Sequence, residues 1–178
     1  MKNLIFGVAA SALAITAFAA TESPYAGQEN REIRALSQQE VEDYLNGKGL
    51  GYAKAAELNH YPGPSHVLEV AKELSLTEEQ TKRTQAIFNV MKTQAITLGQ
   101  QLVEKERALD RQFVNESIEP GSLEALLSDI GALQAKIRYV HLSAHLEQKA
   151  LLSHHQIRLY DQLRGYGAAH SDGHNHSH

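Results

Sequence analysis

The chain has 178 residues, of which 42% are hydrophobic and 21% charged, and its formal net charge is −4. This composition supports one ordinary folded domain and argues against wholesale disorder. The absence of cysteine excludes disulfides, thiolate metal ligands and thiol nucleophiles, and the acidic balance gives no electrostatic reason to expect a nucleic-acid partner.

Residues 1–19 have the pattern of a secretory signal peptide. Lys2 supplies a short positive start, an apolar run follows, and Ala17 and Ala19 are the small residues of a cleavage site. The alternative is an uncleaved membrane anchor, because the apolar run Leu4–Ala20 is near the lower limit of a spanning length. Export without cysteine indicates a bacterial periplasm.

Residues 20–64 are predicted to form an N-terminal arm that contains short helices. Ser37 and Glu40 have the spacing of a capping box, which predicts a helix directly after them. The segment Tyr61–Pro64 then breaks the chain, because its two prolines lack a backbone donor and disfavour helix in the residue before them. A helix is predicted to resume over Ser65–Leu74.

Residues 65–165 are predicted to form an all-α domain built on a long antiparallel helical hairpin, with the shorter N- and C-terminal helices packed on it. The first long helix begins at a capping box made by Thr77 and Gln80 and is predicted to run to about Phe113. The second is predicted over about Leu123–Leu151. Two long helices of similar length joined by a short turn pack as antiparallel neighbours.

Apolar residues recur at helical spacing on both long helices and predict the surfaces that face each other. On the first helix they are Ile87, Val90, Met91, Ala95, Leu98, Leu102, Leu109 and Phe113. On the second they are Leu123, Leu126, Leu127, Ile130, Leu133, Ile137, Val140, Ala144 and Leu151. The turn between the helices is predicted at Asn115–Ser122, which contains Pro120 and Gly121.

A second capping pattern begins the last helix, which is predicted to end at Gly165. The two copies are Leu76-Thr77-x-x-Gln80 and Leu152-Ser153-x-x-Gln156. Each places a hydroxyl at the N-cap and a glutamine at the third helical position, where both can bond to free backbone N–H groups. Residues 166–178 are polar and rich in histidine, and we expect a disordered tail.

A signal peptide, a helical hairpin and two copies of this motif together resemble the LTxxQ superfamily of bacterial periplasmic proteins. That group includes the CpxP and Spy chaperone-like stress proteins, the zinc-associated ZraP proteins and the CnrX-type heavy-metal sensors. The segment Tyr61–Leu68 is similar to the start of the heavy-metal-resistance branch. The resemblance implies a non-enzymatic protein that pairs as a homodimer and binds metal, unfolded clients or an inner-membrane signalling partner.

His141 and His145 are the strongest candidates for chemistry, because residues four apart project from one face of a helix within reach of a single ion. Neutral imidazole suits Zn, Cu, Ni and Co, and the sequence leaves these metals open. Antiparallel pairing brings Met91 within a turn of the pair, and His66 begins the helix that folds back over the hairpin. The alternative is that the two histidines are half-buried polar residues beside an apolar stripe, and that Met91 is a core residue.

The remaining histidines are weaker candidates. His154 and His155 point about 100° apart on the last helix and are expected to face solvent. The tail histidines can wrap an exchangeable Zn, Cu or Ni ion, as a scavenger would; they are His170, His174, His176 and His178. Ser143 points away from its histidine neighbours and has no glycine-rich elbow, so we expect no enzyme.

Two functions follow from these features. The first is a periplasmic heavy-metal-sensing or resistance protein in which His141 and His145, with a ligand from the N-terminal arm, hold a divalent transition-metal ion. The second is an ATP-independent chaperone or envelope-stress regulator of the CpxP and Spy type. The modest aromatic content, 6%, makes the second less attractive.

Overall fold

Residues 22–166, which the computed structural model describes, form helices and turns without any strand, so the predicted all-α class is confirmed. A single 3-10 turn, Gln28–Asn30, comes first. The α-helices of this part of the chain are α1 Gln38–Leu45, α2 Lys54–Glu57, α3 Pro64–Glu69, α4 Glu78–Val114, α5 Pro120–Leu151 and α6 His154–Arg164.

The predicted hairpin is confirmed: α4, with 37 residues, packs along α5, with 32. The Thr77 hydroxyl accepts a hydrogen bond from the backbone N–H of Gln80, as the motif predicts. Helix α5 begins three residues earlier than predicted, at Pro120. Proline at the first helical position has a favourable φ and lacks only an N–H that would be unpaired there anyway.

Three groups of buried apolar residues follow one another along the hairpin. Nearest the turn, residues of the arm and α1 pack between the long helices; this group is Ile33, Tyr44, Leu102, Val103, Ile130, Leu133 and Ile137. Met91, Ala95, Val140 and Ala144 form the middle group. At the far end lie Val67, Leu74, Leu152, Ile157 and Tyr160.

The apolar surfaces predicted for the two long helices are wrong at their edges. Val90, Phe113 and Leu127 are 58%, 55% and 51% exposed, whereas Gly99 and Val103 are buried. Gly99 is buried because α1 packs against it: a Cβ added to Gly99 would lie 2.2 Å from the backbone oxygen of Tyr44. Helix α1 thus packs against α4 at a position that the predicted apolar surface left out.

Helix α3 is shorter than predicted: it ends at Glu69, with Val70 as its C-cap, and not at Leu74. Val70 leaves the helical region with φ −115°, and Ser75 adopts a positive φ of 51°. This bend turns the buried side chain of Leu74 into the far core group beside Leu152. Burial of a leucine thus accompanies the loss of the last helical turn.

The two capping motifs meet at the far end of the hairpin. The Gln80 carboxamide donates to Gln156 Oε1 at 3.0 Å, and the Gln156 carboxamide donates back to Gln80 Oε1 at 3.0 Å. Each carboxamide also donates to a backbone carbonyl, that of Leu151 for Gln80 and that of Leu74 for Gln156. The pair therefore joins the start of α6 to the start of α4.

Within residues 22–166, no helix combines the length and apolar character that crossing a bilayer requires. The predicted signal peptide of residues 1–19 and the four tail histidines lie outside the described residues.

Candidate metal site

The four residues that the sequence suggests as metal ligands line one cavity of about 490 Å³ between the N-terminal arm and the hairpin. They are His66, Met91, His141 and His145. Within residues 22–166, however, no group of three or more His, Asp or Glu side chains is arranged closely enough to hold an ion. The structure therefore brings the candidates to one cavity without forming a complete ligand set.

His141 and His145 are more deeply buried than the alternative interpretation expects, at 4% and 7% exposed. Both belong to the α5 face that the arm covers. Gly49 approaches the His141 ring, since an added Cβ would lie 3.8 Å from its Nδ1. Gly63 approaches His145 more closely, because an added Cβ would lie 2.9 Å from its Cε1 and 3.0 Å from its Nε2. Gly63 therefore lets the arm backbone pass closer to His145 than a side chain would allow, whereas Gly49 makes an ordinary contact with His141.

The tautomer of His145 is set by the arm. Its Nδ1 lies 2.7 Å from the carbonyl oxygen of Tyr61, which can only accept a hydrogen bond, so Nδ1 carries a proton. In the neutral ring, Nε2 then holds the free lone pair, as in metal-binding histidines oriented by a backbone carbonyl. The Lys149 ammonium lies 3.5 Å from the centre of the Tyr61 ring and secures the same residue to α5.

His141 lacks this kind of support. Its buried Nε2 has no hydrogen-bond partner within the described chain. Burial, together with the neighbouring His145, lowers the pKa of His141 below its usual value. The neutral imidazole that results is the form that binds metal ions.

Glu57 is a member of the site that the sequence did not reveal. Its Oε1 accepts hydrogen bonds from the hydroxyls of Tyr160 and Tyr166, at 2.5 Å and 3.0 Å. Its Oε2 is buried without a partner and lies 3.7 Å from Nδ1 of His145. Burial and the bond to Glu57 raise the pKa of Tyr160, which keeps that hydroxyl protonated as a donor. No local motif marks Glu57, because its partners lie about a hundred residues away, Tyr160 in α6 and Tyr166 just after it.

The other two candidates hold different positions. His66 lines the cavity, but its Nδ1 pairs with the carboxylate of Glu69 at 3.0 Å. Met91 is buried in the middle core group with Ala95 and Val140, so it has a packing role as well as access to the cavity.

The histidines of α6 are exposed, as expected for His154 and His155. His60, which no motif singled out, pairs through Nδ1 with Asp161 at 2.8 Å and ties the arm to α6.

No protein-family model matches this chain, and no curated protein or solved structure is significantly similar to it. The LTxxQ resemblance accordingly stays a prediction based on its two motifs and their setting.

Proposed function

We propose that the protein is a periplasmic, non-enzymatic binder of a divalent transition-metal ion, which His141 and His145 hold beneath the N-terminal arm. The observation that carries the proposal is the buried Nε2 of His141, which has no partner. Leaving a buried polar atom unpaired costs about 1–3 kcal/mol. A bound ion would pair with that lone pair, and the metals open to it are Zn, Cu, Ni and Co.

Glu57 is the third donor that we propose, and its side chain would have to shift to reach one ion together with both histidines, because no such group of three is assembled within residues 22–166. The Cβ position next to Gly63 would lie 3.0 Å from His145 Nε2 and 3.5 Å from Glu57 Oε2, so both atoms border the same small space. The Oε2 atom is buried and has no hydrogen-bond partner, whereas the His66 side chain is 41% exposed and Met91 packs in the middle core group. A carboxylate and two imidazoles are an ordinary ligand set for zinc.

The arm is the element whose position metal binding would change. Glu57 belongs to the arm, and both histidines belong to α5, so ligation by all three would favour conformers in which the arm is held against the hairpin. Differential affinity for these conformers would shift their population and change the surface offered to a partner. This is how a sensor of the heavy-metal-resistance type would use the site.

Calorimetry with Zn²⁺, Cu²⁺ and Ni²⁺ tests the proposal in a protein whose tail lacks histidine. In this background, called the tail variant, serine replaces His170, His174, His176 and His178. Adding His141→Ala and His145→Ala is expected to weaken binding roughly 100-fold or more, since even residues that only orient ligands cost 10–100-fold. The matched control adds His154→Ala and His155→Ala, which alter two exposed histidines of α6. Tight binding that survives the first pair of changes would refute the site, provided that circular dichroism shows a folded protein.

One observation favours the second function, a chaperone. On another face of the hairpin, an open groove of about 390 Å³ runs between α4 and α5, and exposed Val90 and Tyr139 line it. Val90 and Tyr139, 58% and 72% exposed, are large side chains that an unfolded segment would contact there. If the groove holds clients, Val90→Ser with Tyr139→Ser should abolish suppression of client aggregation, while Leu127→Ser, an exposed change outside the groove, should not. Equal suppression by the wild type, the double variant and Leu127→Ser would exclude the groove as the client-binding site.

A further inference from the structure

The cavity has features that a bare metal ion does not explain. The inference drawn from them rests on the proposed function, metal binding by His141 and His145. We propose that it takes a divalent metal ion together with a small polycarboxylate chelator, so that the ligand is an anionic metal chelate. Three features support this class of ligand: the size of the cavity, the charges that line it and the incomplete set of protein donors.

The cavity is larger than a hydrated ion requires. Its volume is about 490 Å³. A water molecule occupies about 30 Å³, so an ion with four waters needs only about 120 Å³. Sites for small organic ligands have volumes of about 300–1,000 Å³. The cavity is therefore of the size that a metal ion and a small organic acid would fill together.

The lining is positive although the chain as a whole is acidic. The residues that line the cavity include three exposed lysines, Lys48, Lys54 and Lys92, and none of them forms an ion pair within residues 22–166. These charges repel a bare divalent cation and attract carboxylates.

Two carboxylates also line the cavity, and each has one oxygen engaged. Glu69 pairs with His66, and Oε1 of Glu57 accepts from two tyrosine hydroxyls. Oε2 of Glu57 is buried and has no hydrogen-bond partner. Three ammonium groups against two carboxylates leave an excess of positive charge in the lining, which an anionic chelate would neutralise.

The donors of the chain would leave positions on the metal for another ligand. Two imidazoles and one carboxylate oxygen provide three donors, and the preferred coordination number of these metals is four to six. Carboxylate oxygens of a chelator would fill the open positions. The chain would bind the chelate at both ends, with imidazoles on the metal and ammonium groups on the free carboxylates.

Equilibrium dialysis with radiolabelled citrate distinguishes the two forms of ligand. The tail variant is dialysed against citrate alone, against the metal that binds most tightly in calorimetry, and against both at equal concentration. We expect citrate to be retained one-to-one with protein only when the metal is present. A protein that binds the bare ion would instead lose metal to citrate, because the two would compete.

A triple variant tests the lysines. Lys48→Gln, Lys54→Gln and Lys92→Gln should reduce metal-dependent citrate retention roughly tenfold, since each exposed charge pair is weak, without weakening binding of the metal alone. Lys72→Gln, Lys82→Gln and Lys136→Gln remove the same charge from exposed positions outside the cavity and should change neither measurement.

The outcomes separate this inference from the proposed function. If citrate only removes metal from the protein, or if citrate is retained without metal, the chelate proposal is wrong and the metal site is unaffected. Failure to bind metal both with and without citrate overturns the proposed function itself. Binding of metal only when citrate is present supports the chelate directly.

Discussion

Gly63 lies against the imidazole of His145 with no room for a side chain. Gly63→Ala would place a methyl group 2.9 Å from Cε1 of His145 and in the space that His145 Nε2 shares with Glu57 Oε2. We expect metal affinity to fall by about tenfold or more, a loss typical of changes that disturb how ligands are held. Calorimetry of the tail variant measures this, with Gly131→Ala, which meets nothing within 4 Å, as control. Equal affinities for the two alanine variants would contradict the proposed donor space.

Glu40 provides a pH-dependent contribution to stability. The backbone N–H and the hydroxyl of Ser37 both donate to its Oε2, at 2.8 Å and 2.7 Å, and lower its pKa below 4.5. Because the folded pKa is the lower one, this stabilisation is present above the unfolded pKa and is lost as pH falls through the folded pKa. Between neutral pH and about pH 3, the wild type should lose more free energy of unfolding than Glu40→Gln. Urea titrations that give the same loss for both would contradict the assignment.

At the residue scale, the sequence identified the features that depend on near neighbours. The capping boxes of Ser37, Thr77 and Ser153 and the four-residue spacing of His141 and His145 are local, so their geometry follows once a helix is assumed. The sequence did not identify Glu57, because its hydroxyl partners lie in α6 and just after it and its histidine neighbour lies in α5. Only the folded arm brings them to it.

At the scale of elements, Gly99 decides how closely α1 can approach α4. Because a Cβ there would overlap the backbone of Tyr44, Gly99→Ala should reduce the free energy of unfolding by about 1–3 kcal/mol. Gly131→Ala, in the exposed middle of α5, should instead raise it by about 0.5–1 kcal/mol, since alanine is the better helix former. Urea unfolding of both variants checks the contrast, and a stabilised Gly99→Ala would contradict the packing.

The reciprocal bonds between Gln80 and Gln156 couple α4 to α6. A double-mutant cycle with Gln80→Ala and Gln156→Ala subtracts the capping loss of each single change and leaves the interaction between the two side chains. We expect this coupling free energy to be about 1 kcal/mol. The comparison cycle uses Gln85 and Asn89, an exposed pair within α4, where about 0.5 kcal/mol or less is expected. A coupling no larger than that of the comparison pair would mean that the two motifs act only as caps.

The hairpin and the starts of its helices were predictable because helical spacing and capping signals are strong over long segments. The stripe was misassigned at Val90, Phe113 and Leu127 because periodicity cannot say which side of a helix a third element covers. The early end of α3 has a similar origin, since burial of Leu74 depends on contacts with Leu152 and α6.

At the scale of the whole molecule, the arm is attached to the hairpin at several separated points. Arg34 pairs with Asp110 near the turn, Tyr61 binds His145 and Lys149 in the middle, and His60 pairs with Asp161 of α6. The cavity lies beneath this arm, so a ligand there contacts elements that are distant in sequence. Binding at the site is therefore linked to the stability of the fold.

Metal should accordingly stabilise the folded protein. At a free metal concentration 100 times the Kd, the expected gain is about 2.7 kcal/mol. Thermal unfolding of the tail variant with and without metal should show the corresponding rise in Tm. The rise should vanish with His141→Ala and His145→Ala but persist with His154→Ala and His155→Ala. An identical rise in all of them would assign the effect to other sites.

The most direct test is X-ray absorption spectroscopy at the edge of the bound metal in the tail variant. The proposed site predicts the multiple-scattering pattern of imidazole ligands, two per metal, and its loss when His141 and His145 are replaced by alanine. A spectrum with oxygen scatterers alone, or one that those two substitutions leave unchanged, would contradict it.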